Sequence, residues 1–174
     1  MSREVRSRVK QASYLEIPGS DSNKTYELMN AGFTELNESP SAQTGSKKYV
    51  NDKSATKSII GYDWSTAFTT DQIRSEKVVD FICTIGEEQK VGADAETNYV
   101  MVSLDRKTSV ADEYYARKIP VAIEVSSFEN NDGEMTTKGN LLGKGDIEIG
   151  VFNIKTKTFK SGLEVSNVVA SLEK

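Results

Sequence analysis

The chain of 174 residues has no histidine, one cysteine, one tryptophan and three prolines. None of its apolar runs approaches the roughly 18 residues that cross a bilayer as a helix. Without histidine, the commonest general base, the commonest zinc ligand and the usual partner of a serine or cysteine nucleophile are gone. Only carboxylate-based or Mg²⁺-type chemistry passes that filter. The lone thiol, Cys83, closes no intramolecular disulfide and lies between Ile82 and Thr84 in an apolar helical pattern, so it reads as a small buried hydrophobe. The beginning MSREVRSRVKQAS has no apolar core of a secretory signal, and the expectation is a protein folded in a cytoplasm, with no membrane partner. Neither GxGxxG nor GxxxxGK[ST] occurs, which leaves no phosphate-cradling loop. NNDGE at residues 130–134 lacks the ligand order of a calcium loop. Basic residues without interleaved aromatics on a strand give no platform for specific nucleic-acid binding. The expectation is a protein that is not an enzyme, with no catalytic residue, no cofactor and no metal.

What is present is a single soluble domain with 37% hydrophobic and 28% charged residues, long enough to hold one core without disulfides. Its most informative stretch is a polar segment, residues 39–57, set between two strand-like stretches. Unstructured loops beyond about 12–15 residues are uncommon in compact domains and often functional. Lys47, Lys48, Lys53 and Lys57 stand there against Asp52 alone, and Tyr49 is its one large aromatic, so the segment is net +3. The first twelve residues, with Arg3, Arg6, Arg8 and Lys10 against Glu4, are also net +3. Since the whole chain is net −4, the rest stands at −10. An acidic body with two basic extensions is complementary to copies of itself, and contacts between different patches of identical subunits give rings or filaments. The competing reading is that both extensions are solvated appendages.

Read in order, a basic arm (residues 1–13) precedes a β domain (residues 14–162), and a tail (residues 163–174) follows. Residues 14–17 make a short strand stopped by Pro18-Gly19, and residues 25–29 and 33–38 read as a strand pair across Asn30-Ala31-Gly32. In GYDWSTAFT, Tyr62, Trp64, Thr66 and Phe68 share one face. A helix over about residues 71–87, capped by Thr70 or Asp71, carries the stripe Ile73, Val78, Phe81, Ile82 and Ile85. Residues 97–104 form an apolar strand. Residues 114–128 alternate, with Pro120 pointing to an edge or bulge, and NNDG marks a hairpin turn. In GDIEIGVF, Ile147, Ile149 and Val151 face one way and Asp146 and Glu148 the other. The fold class expected is mainly β: an antiparallel β-sandwich or partly closed barrel with one packed α-helix and a long inter-strand loop.

SAQTGSKKYVNDKSATKSIIGYDWSTAF (residues 41–68) resembles the loop and following strand of tail tube proteins, or major tail proteins, of long-tailed bacteriophages. GVFNIKTKTFKSG (residues 150–162) resembles the closing hairpin of that family. The resemblance implies a structural virion protein of the phage tail, assembled in the host cytoplasm into stacked hexameric rings. Each subunit contributes to an inner β-barrel around the tape measure protein and later around DNA as non-specific cargo. Carried onto this chain, it makes Lys47, Lys48, Tyr49, Lys53 and Lys57 inter-ring stacking residues. Asp63, Asp146 and Glu148 become candidate lumen-facing acids, and Arg3, Arg6 and Arg8 are candidate arm contacts. Related tubes occur in bacteriocins and secretion machines. Two alternatives stay open: a cytosolic β-sandwich module that binds a partner through the 39–57 loop, and a carboxylate-dependent enzyme.

Overall fold

The computed structural model describes residues 3–19, 21 and 23–162; the tail expected at residues 163–174 lies outside them. The described residues form strands β1 (Gln11–Pro18), β2 (Lys24–Leu28), β3 (Phe33–Ser39), β4 (Ala42–Lys47), β5 (Thr56–Tyr62) and β6 (Ser65–Asp71), then helix α1 (Lys77–Glu87). After the helix come β7 (Glu96–Lys107), β8 (Glu113–Asn131), β9 (Glu134–Gly143), β10 (Glu148–Asn153) and β11 (Thr158–Ser161). All strands but β4 and β5 belong to one antiparallel sheet, ordered β2-β1-β7-β8-β9-β6-β3, from which β10 and β11 branch at β8. The expected mainly β architecture with one packed helix is what forms.

The expected hairpin across Asn30-Ala31-Gly32 does not form. β2 pairs with β1 and β3 pairs with β6, at opposite ends of the sheet. The backbone bonds at the corner explain why: the Met29 N–H donates to Ser13, keeping β2 on β1, while Gly32 O accepts from Asp71 and hands β3 to β6. A link from residue 28 to residue 33 spans at most about 18 Å. The two sheet ends therefore lie near each other, and the sheet curls into a partial barrel that no ladder among the described residues closes.

The curl surrounds Leu15, Phe68, Tyr99, Met101, Ile119, Val121 and Leu141, against which α1 lays Val78, Ile82 and Ile85. On the other side of β1, β7 and β8, a second cluster joins Tyr14, Val100, Val102, Ala116 and Phe152, with Phe159 of β11 packed on it. The centre of β7 is thus buried on both faces, so it reads as a continuous apolar run and not as an alternation.

α1 begins at Lys77, later than the pattern suggested, because β6 continues through Asp71, which pairs with Thr136. Ile73 consequently falls outside the helix and is partly exposed. Gly86 lies inside it, and a Cβ there would stand 2.6 Å from Val125 Cγ1, so this glycine sets the close approach of helix to β8. On β10 the alternation read from GDIEIGVF forms, and its buried side is the one that carries the half-buried Glu148: Gly150 and Phe152 lie on it, while Ile149, on the other side, is exposed. Phe152 decides the facing by reaching the Tyr14 and Tyr26 rings at 4.6 and 5.6 Å.

Pro120 sits inside the long central strand without breaking it. Up to Lys118, β8 pairs with β10, and from Val121 the same edge pairs with β9. The Pro120 carbonyl accepts from the Lys144 N–H in the turn between those partners, so its missing donor falls where the partner changes. The NNDG turn behaves as expected, with Asp132 and Gly133 at φ 51° and 90°, the two positive angles of a type I′ hairpin.

Candidate functional site

The excursion at residues 39–57 carries a two-stranded hairpin of its own, β4 paired with β5 from Ala42–Tyr62 to Lys47–Thr56. Pro40 ends β3, and Ser41, at φ 48°, turns the chain away from the sheet. The Asp63 N–H closes the root by donating to Ser41 O at 3.0 Å. Alternation of apolar residues is weak in the first strand, AQTGSK, which hid it in the sequence. No residue of either strand is buried. Ile59, Ile60 and Tyr62 are 59%, 72% and 64% exposed. Two-stranded ribbons are marginal on their own. This one therefore presents apolar surface that the chain itself does not cover.

At the tip, the Tyr49 N–H donates to the Asp52 carboxylate at 3.2 Å and the Asp52 N–H to Tyr49 O at 3.0 Å. The one acid of the segment is thus engaged in holding the turn. Lys47 lies over the Tyr49 ring at 5.0 Å. Among the described residues, Lys47, Lys48, Lys53 and Lys57 form no ion pair. The five residues expected at a stacking surface are therefore exposed together on one projecting arm.

The N-terminal arginines are less free. Arg6 makes a two-pronged pair with Asp105 at 2.8 Å on each oxygen. This hydrogen bond holds the Asp105 carboxyl below its ordinary range against the opposing effect of burial. The Arg8 guanidinium donates to Gln11 O at 2.6 Å, and Arg3 makes no ion pair among the described residues.

The three acids proposed together from the sequence separate. Asp63 and Asp146 line one cleft of about 570 Å³ at the root of the hairpin, with Tyr62, Trp64, Ile119 and Ile147. Glu148 points elsewhere, to Lys118 at 2.7 Å, a hydrogen bond that lowers its pKa. Inside the cleft, Arg117 of β8 grips both carboxylate oxygens of Glu38 at 2.9 Å, and the Trp64 indole N–H donates to one of them, also at 2.9 Å. Burial pushes the Glu38 pKa up, but the bonds from Arg117 and Trp64 outweigh it and the net shift is downward. This cluster ties the strand that launches the hairpin to the centre of the sheet.

A further surface escaped the sequence reading, because it depends on which strands become neighbours. β8, β9, β6 and β3 lie side by side, and their outward residues fall in rows: Glu124, Asn140, Ala67 and Asn37, then Ser127, Lys138, Thr69 and Glu35. The rows are knitted by hydrogen bonds from Asn140 to Glu124 at 2.7 Å and from Thr69 to Glu35 at 2.9 Å. Lys138 pairs with Glu129 at 2.8 Å. This four-strand face is polar and acidic, with Glu35, Glu124 and Glu129 against Lys138. Its outer edges, along β3 and along β8 beyond Ala122, have no ladder partner among the described residues. Also among the described residues, no cluster of acidic or thiol side chains has metal-site geometry, and no helix is long and apolar enough to cross a membrane.

No family model matches the chain, and no curated protein matches it. Among solved structures it is similar to a chain in the tail of an empty GTA particle refined with helical C6 symmetry, at 13% identity and a TM-score of 0.58, covering 82% of this chain and 97% of that one. It is also similar to a chain in the six-fold symmetrised baseplate of the anti-feeding prophage, at 8% identity and a TM-score of 0.45, covering 89% and 99%. The first likeness is one of fold, and it spans nearly the whole of the other chain: this protein has the fold of that chain of the GTA tail.

Proposed function

We propose that this protein is a structural subunit of a phage-type tail tube, a virion component whose copies join edge to edge into hexameric rings and whose rings stack. The observation that carries the reading is the uncovered hairpin arm, β4–β5, which has exposed isoleucines on both of its faces and four lysines without an ion pair among the described residues. A ribbon of that composition gains burial only against another molecule. Two open edges flank the four-strand face, and exposed edges are templates for pairing with a further chain. Paired from copy to copy, these edges continue the sheet around a ring and turn its acidic face toward a lumen. The wall role then belongs to Glu35, Glu124 and Glu129 in place of Asp63, Asp146 and Glu148. An acidic wall gives passing DNA phosphates no cations to hold them. A tape measure protein inside the tube, DNA as cargo and assembly in the host cytoplasm belong to the same reading, as does the variant in which the tube serves a bacteriocin or secretion machine.

The cleft at the arm's root favours a second reading, a binding module that clamps a partner with the arm. Deleting residues 44–60 separates the two. The tube reading expects rings and tubes from the parent chain in negative-stain images at raised concentration, and folded but unstacked subunits from the deletion. Parent chains that stay monomeric at every concentration and salt, or a deletion variant that still stacks, overturn it.

A further inference from the structure

We infer that the tip of the hairpin in one copy docks in the cleft at the hairpin's root in another, an inference that rests on the self-assembly reading and names its receiving site. The tip cannot reach its own root. Six paired residues at about 3.3 Å each hold it roughly 20 Å away. Whatever tip enters the cleft comes from another chain.

Charge and shape agree on that occupant. Within the cleft, Arg117 is neutralised by Glu38 and Lys144 by Glu96, which leaves the exposed Asp63 and Asp146 without an ion pair among the described residues. At the tip, Asp52 is occupied with the turn, and Lys48 and Lys53 have no ion pair among the described residues. Two acids at one end of the arm thus face two lysines at the other. The cleft is walled by Trp64, Tyr62 and Ile147, and the tip presents Tyr49 and a fully exposed Val50. The contact joins two different patches of the same chain, so two copies held by one such contact keep a free tip and a free cleft, and further copies add there to give a ring where the rotation between copies closes and an open filament where it does not.

The test mixes full-length Val50→Cys with mass-tagged Asp146→Cys and adds a short thiol cross-linker; the native Cys83 is buried and does not compete. The expected result is a two-chain adduct joining one tip to one root. Rings or tubes without that adduct overturn the docking site and leave the tube reading standing. An adduct without rings upholds the docking and overturns the ring. No association at any concentration removes both. Capture of Asp146→Cys by Arg3→Cys in place of Val50→Cys assigns the cleft to the N-terminal arm and overturns the inference. Charge reversal supplies the second measurement, on variants whose melting matches the parent. Lys48→Asp with Lys53→Asp, or Asp63→Lys with Asp146→Lys, is expected to raise the concentration needed for stacking by about tenfold or more, and all four changes together to restore it to within about twofold. Failure of the four-fold variant to recover overturns the pairing.

Discussion

The body and the arm of this protein use the same residue types to opposite ends. In the body, Ile119, Val121 and Leu141 are essentially inaccessible to solvent; on the arm, Ile60 is 72% exposed and Val50 wholly so. Both are β structure with the same chemistry of apolar side chains. The difference lies in neighbours: the inner body strands have two ladder partners, and the edge strands β2, β3 and β11 pack Tyr26, Phe33 with Leu36, and Phe159 against the core clusters, while β4 and β5 have only each other. Apolar residues stabilise a fold only where something covers them. The arm's isoleucines contribute little to the isolated chain and are available to an assembly.

Truncating one aliphatic side chain to alanine in each region separates the two roles. Leu141→Ala is expected to lower unfolding stability by about 2–5 kcal/mol, and Ile60→Ala by less than about 0.5 kcal/mol, in denaturant titrations of the monomer. Ile60→Ala should nevertheless weaken stacking; equal losses from the two would mean the arm is part of the core. Next in size is Glu38→Gln, at the joint between arm and body, expected to cost about 1–3 kcal/mol by leaving Arg117 and Trp64 without their carboxylate. Because the folded-state pKa of Glu38 is depressed, the ionised carboxylate contributes stability above the unfolded carboxyl value of about 4.3, and that contribution fades as pH falls through the lower folded value. The gap between parent and variant should therefore be constant at neutral pH and shrink in acid. Gly86→Ala tests the helix seat. Overpacking against Val125 costs about 1–3 kcal/mol, and the better helix propensity of alanine returns up to about 1 kcal/mol, so calorimetry should show a net loss. The smallest effect is expected from Arg6→Ala, about 0.2–1 kcal/mol and weaker in high salt, since its pair with Asp105 is surface-exposed.

Local chemistry made much of this legible in the sequence. The alternation through Trp64, Thr66 and Phe68, the type I′ signal of Asp132-Gly133 and the stripe of Val78, Ile82 and Ile85 each depend on neighbours within a few residues, and each folds as read. Partner choice was not legible. Asn30-Ala31-Gly32 is an acceptable hairpin turn, and only the bonds from Met29 to Ser13 and from Asp71 to Gly32 send its flanking strands to opposite ends of the sheet. Which side of β10 is buried was not legible for a similar reason: Ile149 and Phe152 are both apolar, and the Tyr14 and Tyr26 rings choose between them. Of the candidate site, the lysines of the arm were visible as a charge imbalance. The acidic four-strand face was not, because its members come from β3, β6, β8 and β9, and their register is a tertiary fact.

Cys83 has a consequence for durability. It is the chain's one thiol and is sealed beneath α1 beside the Thr137 hydroxyl, at 3.4 Å. The exterior offers oxidants no sulfhydryl, so neighbouring copies cannot become covalently bridged by air or peroxide. Copies of this chain are not tied to one another by disulfides, and separating them requires no reductant.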